Sequence, residues 1–256
     1  MSSFSDFSIA GVSLSIEFHV RGDVGAYPSA VAPWPMADVE MDGATGAYRF
    51  RRSDLEGQLQ GERARFVCGR SPSSQETCAR LVASVVLPRF GSLLMHASAA
   101  VVAGETQGRA RVFSGPSGAG KSTLVGLVGG RSMGDELVAI RLVQDQVVAY
   151  STPFAGTRAP VEPHSAPVEG IYFIAERTAA TAASPTNRAV RLARPAAVAR
   201  LLRNTVTYAR GVQDVGACLD VADAIAARVP IWQLAFAPTP QVVTYLHGLG
   251  DASDAV

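Results

Sequence analysis

Along the first third of the chain, apolar and polar positions alternate loosely from Phe7 to Phe18 and again over Ala47-Tyr48-Arg49-Phe50-Arg51. This is the period of half-buried β-strands. A Gly-bearing turn at Gly43 to Gly46 precedes the second stretch, and the prolines between Tyr27 and Pro35 predict loop there. The period then changes. Ser73 or Ser74 stands where a helix N-cap is expected, with Glu76 in the first turn. Cys78, Leu81, Val82, Val85 and Val86 then recur on one helical face until Pro88 and Gly91 end it. Ser92 to Val102 is an apolar run suited to a buried strand, and Arg109 to Phe113 is a second, with Gly104 to Gly108 predicting a hairpin between them. Ser122 to Val128 predicts a helix stopped by Gly129-Gly130.

Leu137 to Ile140 and Val147 to Tyr150 read as a hairpin turning at Gln144-Asp145-Gln146. Pro153 to Gly170, rich in proline and carrying Arg158 and His164, reads as a long loop of the kind that serves as a lid or binding segment. Strands follow at Ile171 to Ala175 and Ile231 to Phe236, and helices at Pro195 to Leu202, Asp220 to Arg228 and Pro240 to Leu249. There is no internal repeat. The pattern predicts an α/β protein: a β-rich N-terminal part with one helix over residues 1–90, packed on a core over 91–250 with a central mixed sheet and flanking helices.

Composition narrows the function classes. The chain has 256 residues, 48% hydrophobic and 18% charged, with a net charge of +1. That is ordinary for a globular protein, and basic residues form no nucleic-acid footprint beyond the short Arg49-Phe50-Arg51-Arg52 run. Apolar runs such as Leu81 to Leu87 are far below the roughly 20 residues of a membrane span, and the N-terminus lacks the pattern of a signal peptide. The expected location is therefore cytoplasmic, with neither nucleic acid nor membrane as partner. Cys68, Cys78 and Cys218 have no metal-ligand spacing and read as isolated thiols, of which Cys68 and Cys78 can pair under oxidation. His19, His164 and His247 are too scattered for a zinc site, and Trp34 and Trp232 read as packing residues.

The candidate chemistry lies at Gly115-Pro116-Ser117-Gly118-Ala119-Gly120-Lys121-Ser122-Thr123, which satisfies G-x-x-x-x-G-K-[ST] between an apolar strand and a helix-forming run. By average usage the pattern arises by chance in roughly one such chain per hundred. Glycines let successive backbone N–H groups turn toward phosphate oxygens, and the following helix adds its positive end. Lys121 supplies a compact charge for the β- and γ-phosphates, and Ser122 a hydroxyl for Mg²⁺. Lys121 is also the chain's one lysine, the other 22 of its 23 Lys and Arg residues being arginine. A planar guanidinium does not replace an ammonium among phosphates, so lysine is retained where that chemistry needs it. Ser117 is no nucleophile elbow, since Ala119 stands where G-x-S-x-G needs its second glycine.

A P-loop also needs a carboxylate, and Gly134-Asp135-Glu136 follows closely, just before the apolar Leu137-Val138-Ala139-Ile140. It therefore stands at the start of a strand, whereas the common Walker B acid ends one. His96 lies within the apolar Leu93-Leu94-Met95-His96-Ala97. The order of His strand, hairpin, P-loop, short helix and acidic pair resembles the catalytic core of HPr kinase/phosphorylase, more distantly ATP-dependent phosphoenolpyruvate carboxykinases. The resemblance covers about residues 90 to 160. It implies a P-loop core of that type, with Asp135 as the base that takes the acceptor's proton, His96 assisting it, and Glu136 supporting Mg²⁺. Where the family has Gly after the histidine and a second Asp in the pair, here stand Ala97 and Glu136.

Small HPr-kinase-like proteins of peptide-modification pathways are similar over more of the chain, including Thr152-Pro153-Phe154. The resemblance implies ATP and Mg²⁺ as cofactors, a serine-like hydroxyl on a peptide or protein as acceptor, and a homo-oligomer. Arg158 in the long loop is a candidate clamp on the transferred phosphate. Two other readings stand beside this kinase: a nucleotide-gated module that binds a peptide or protein without transferring phosphate, and a kinase of a small hydroxylated metabolite.

Overall fold

The computed structural model describes residues 2–20, 37–69, 71–102, 108–154, 163–176, 186–208 and 211–253. These form a mixed α/β structure with two sheets and, among the described residues, five α-helices. The Tyr27 to Pro35 loop, Trp34, the Gly104 turn and Arg158 lie outside the described residues. Two units divide the chain: Met1–Phe90 with Thr207–Ala217, and Gly91–Val206 with Cys218–Val256. Residues 207–217, read from sequence as part of the core, belong to the first unit.

In the first unit, β1 (Ser2–Ile9) and β2 (Val12–Val20) form a hairpin through Ala10-Gly11, both at positive φ. The loose alternation from Phe7 to Phe18 is therefore two strands. They join β3 (Asp38–Met41), β4 (Tyr48–Arg52), β5 (Leu55–Gln60) and β6 (Arg63–Cys68) in the order β1-β2-β6-β5-β4-β3, with only the β2–β6 pair parallel. Alternate residues such as Leu14, Ile16, Tyr48, Phe50, Leu59 and Phe66 are buried, on the face where α1 (Pro72–Val86) packs. Gly57 is required there, because a Cβ on it would lie 2.2 Å from the Phe66 ring. The N-cap of α1 is Ser71, whose hydroxyl accepts from the Ser74 N–H at 3.2 Å. Ser74, one of the two residues expected there, instead donates its own hydroxyl to Asp54 at 3.0 Å. A 3-10 turn, Leu87–Phe90, ends the unit before Gly91.

The second unit is built on β7 (Ser92–Val101), β8 (Ala110–Ser114), β9 (Arg131–Gly134), β10 (Leu137–Val143), β11 (Gln146–Ser151), β12 (Ser165–Ile174), β13 (Arg188–Arg191) and β14 (Ile231–Ala235). Their order is β11-β10-β7-β8-β12-β14-β13, with β9 beside β7. Because β11 also pairs with the start of β12, five strands close into a circuit of pairings. β8, β12 and β14 are parallel and finish at the same end of the sheet. One face packs on α3 (Arg194–Asn204) and α4 (Val212–Ala226) through Leu201, Val221, Ala222 and Ile225. The other packs on α2 (Lys121–Val128) and α5 (Gln241–Ser253) through Leu124, Val125, Val242 and Leu246.

Two expectations change here. The run from Pro153 to Gly170 is not loop throughout, since β12 begins at Ser165. Pro167 is tolerated near the start of that strand, and the register shift between Val168 and Gly170 absorbs the irregularity that the breakers signal. The helix expected from Asp220 begins at Val212, carrying Gly216 in its interior. No helix among the described residues is long and apolar enough to cross a membrane.

Candidate functional site

Strand β7 is the platform on which the candidate residues meet. On one edge Val101 pairs with Ala110 and Ala97 with Ser114, so the chain leaves β8 for Gly115 at the level of His96. On the other edge β9 and then β10 pair with β7, with Gly134 opposite Ala99 and Leu137 opposite His96. Asp135 and Glu136 fall between them. The Ala97 N–H donates to the Glu136 carbonyl at 3.2 Å, and the Ser98 hydroxyl to the Asp135 carbonyl at 3.2 Å. The start of the phosphate loop, level with His96, and the acidic pair, level with Ala97 and Ser98, thus lie on opposite edges of β7, two interstrand spacings or roughly 10 Å apart.

The acidic pair stands at the start of β10, as the sequence predicts, and β9 adds a second strand before it. Asp135 does precede β10, but it also directly follows β9, which runs in the same direction as β8. It therefore follows the end of a strand that is separated from β8 by β7 alone. Gly134, at φ 141°, and the register shift between Ala99 and Ala100 mark the irregularity that breaks the strand there. Such breaks redirect side chains at sites.

The loop itself is shaped by Gly118 at φ 76° and Gly120 at φ 100°, a left-handed conformation that side chains resist. Gly120 caps α2 with no side-chain hydrogen bond to the helix's first turn. An anion at this position would meet the positive end of the helix dipole. Lys121 is the first residue of α2 and is buried, its Nζ donating to the carbonyls of Gly115 at 2.8 Å and Pro116 at 3.1 Å. Burial holds its ammonium below the ordinary lysine range, while the Glu136 carboxylate pulls the other way.

The residues fit a magnesium nucleotide. Ser122 follows Lys121 in the first turn of α2, Thr123 follows in turn, and Gly118 faces open space where a Cβ would otherwise project. Among the described residues no group of three or more His, Cys, Asp and Glu side chains is placed to hold a metal. A nucleotide-bound Mg²⁺ ordinarily takes one or two protein ligands, with phosphate and water completing its shell.

His96 lies between Met95 and Ala97 on β7, and alternation turns it toward the face of α2. Its carbonyl accepts the Ser114 hydroxyl at 2.9 Å, tying the residue before the loop to the histidine strand. Ser98 and Ser114 escaped the sequence reading although each is a buried hydroxyl in an apolar run, which is the signal that marks them. Thr152 donates to the Leu137 carbonyl at 2.8 Å, so Thr152-Pro153-Phe154 is anchored directly after the acidic pair, with Phe154 buried.

No family model matches the chain, and no curated protein matches it. The functional argument consequently rests on the site itself.

The remaining histidines have other partners. His19 is on β2 beside Glu17, and His247 is on α5 against the buried Arg111–Glu169 pair. His164 pairs with Ser151, and burial together with the charge of Arg131 lowers its pKa.

Proposed function

We propose that this protein is an ATP-dependent kinase with a core of the HPr kinase/phosphorylase and phosphoenolpyruvate carboxykinase type, acting on a serine-like hydroxyl of a peptide or protein. The observation that carries the reading is the common level of the phosphate loop, His96 and the acidic pair on β7, with Glu136 acting on the charge of Lys121. Gly115 to Thr123 holds the triphosphate, and Lys121 leaves its own loop carbonyls to meet the β- and γ-phosphates. Ser122 and Glu136 would hold Mg²⁺, which when bound would neutralise charge on the phosphates.

In the transfer, the bond from the γ-phosphorus to the β–γ bridging oxygen breaks as one to the acceptor oxygen forms. ADP departs, and the acceptor's proton passes to the Asp135 carboxylate. His96 orients that carboxylate. Because the transition state is loose, positioning and charge supply most of the rate. We place the protein in the cytoplasm as a homo-oligomer.

The test is to incubate the protein with γ-labelled ATP, Mg²⁺ and peptides fractionated from its own cells. Label is expected in a peptide, lost with Lys121→Ala. Asp135→Asn should lower turnover at least about a hundredfold while ATP affinity stays within about threefold. Unchanged turnover would remove Asp135 from its role. Nucleotide binding with no transfer would favour the gated binding module, and label in a small molecule the metabolite kinase.

A further inference from the structure

The glycine immediately before Lys121 is confined from behind by an aromatic side chain outside the phosphate-loop motif. A Cβ on Gly120 would lie 2.7 Å from Cζ of Phe236 and 3.3 Å from its Cε1, so the tip of the ring abuts the Gly120 backbone. Phe236 follows β14, whose Leu234 is level with Ile174 of β12. Ile174 in turn lies 3.2 Å from where a Cβ of Gly115 would sit. The two ends of the loop therefore rest on the ends of two neighbouring parallel strands.

The backbone on both sides of Phe236 is held. The Ala175 N–H donates to the Leu234 carbonyl at 2.8 Å, and the Ala237 N–H to the Asn187 side chain at 2.9 Å. Pro238 and Pro240 restrict the backbone that follows. The ring itself is half-buried and packs against the core that includes Ala119, Leu124 and Leu234.

We propose that Phe236 is a positioning residue of the phosphate loop. Its ring keeps Gly120 in the left-handed conformation that turns the loop's N–H groups and Lys121 toward phosphate, and so sets the affinity for the triphosphate. This rests on the nucleotide-binding reading above. It also makes a distinction of its own: a ring acting through the loop affects any polyphosphate, whereas a ring stacking on a base affects only the nucleotide.

The experiment is calorimetric titration of the full chain with MgATP and, separately, with magnesium tripolyphosphate, at a temperature well below unfolding. Wild type, Lys121→Ala, Phe236→Ala and Phe236→Leu are compared. Phe236→Ala should weaken both ligands by a similar factor, about tenfold, and Phe236→Leu, which keeps part of the side chain's bulk, should recover to within about threefold of wild type. Loss of ATP affinity alone overturns the proposal in favour of a base contact, and unchanged affinity for both overturns it outright. If Phe236→Ala fails to fold, a Phe236→Leu protein whose two affinities fall together supports the proposal, and one with unchanged affinities overturns it. Failure of the wild type to bind either ligand overturns the nucleotide reading and this inference with it.

Discussion

Asp54 shows how one buried carboxylate holds a strand end and ties stability to pH. It is almost fully buried, receives Nε of Arg52, accepts Nη2 of Arg52 at 2.7 Å and accepts the Ser74 hydroxyl at 3.0 Å. Burial pushes its pKa up, but the hydrogen bonds from Arg52 and Ser74 and the charge of Arg52 outweigh it, leaving the pKa below the ordinary value. A depressed carboxylate contributes stability that is present above its unfolded pKa, near 3.9, and is lost as pH falls through the folded one. Asp54→Asn should therefore cost about 2 kcal/mol at pH 7, because the buried Arg52–Asp54 ion pair is lost. The gap to wild type should narrow toward pH 3. Urea denaturation at both pH values checks this, and a gap of constant size would show that the charge is not what matters. Nothing in the sequence around Asp54 announces this role, since its partner Ser74 reads equally well as an N-cap. Lys121 is the opposite case: its solitude among arginines makes it legible in the sequence alone, because phosphate chemistry discriminates between the two cations where the protein surface does not.

At the scale of elements, legibility follows the strength of the local period. β7, β8 and α2 are continuous apolar or helical stretches bounded by glycine, so the strand–loop–helix unit carrying the phosphate loop stands out. β9, with Arg131, Ser132 and Gly134 in four residues, has no such signature, and its pairing with β7 alone makes it a strand. Without β9 the acidic pair appears only to begin a strand. The β10–β11 hairpin is legible from its flanking apolar runs, yet its turn uses poor residues: Gln144 at φ 53° and Asp145 at φ 100°. Two consecutive positive φ values are met at least strain by Asn-Gly. Replacing the pair by Gln144→Asn with Asp145→Gly should therefore stabilise the second unit by about 1 kcal/mol, even though it removes the exposed contact of Asp145 with Arg228. Thermal unfolding reads this directly. A lower midpoint would mean that the Arg228 contact outweighs the strain.

At the scale of the whole chain, the first unit is completed by residues more than a hundred positions away in sequence, a feature that periodicity cannot disclose because it is set by long-range packing. Tyr48 is fully buried and donates its hydroxyl to Asp214, while Arg89 donates to Asp214 Oδ1 at 3.1 Å and to the Tyr48 hydroxyl at 3.0 Å. The guanidinium also lies 5.2 Å from the Tyr48 ring centroid. Asp214 belongs to the returning segment Thr207–Ala217, whose Gly211 packs so closely on Met41 that a Cβ would lie 2.8 Å from its side chain. A fragment ending at residue 90 keeps Tyr48 and Arg89 but loses the carboxylate that satisfies both. Leaving a buried hydroxyl without an acceptor costs about 1–3 kcal/mol, a large share of a small unit's stability. The fragment should consequently unfold at lower urea than the same unit in the full chain, and Asp214→Ala in the full chain should reproduce much of that loss. Intrinsic Tyr fluorescence is a poor probe of one residue among several, so amide exchange at Tyr48 and Phe50 is the direct measurement. Undiminished protection of those amides in the fragment would show that residues 1–90 are stable without the return, and that Asp214 serves something other than the fold.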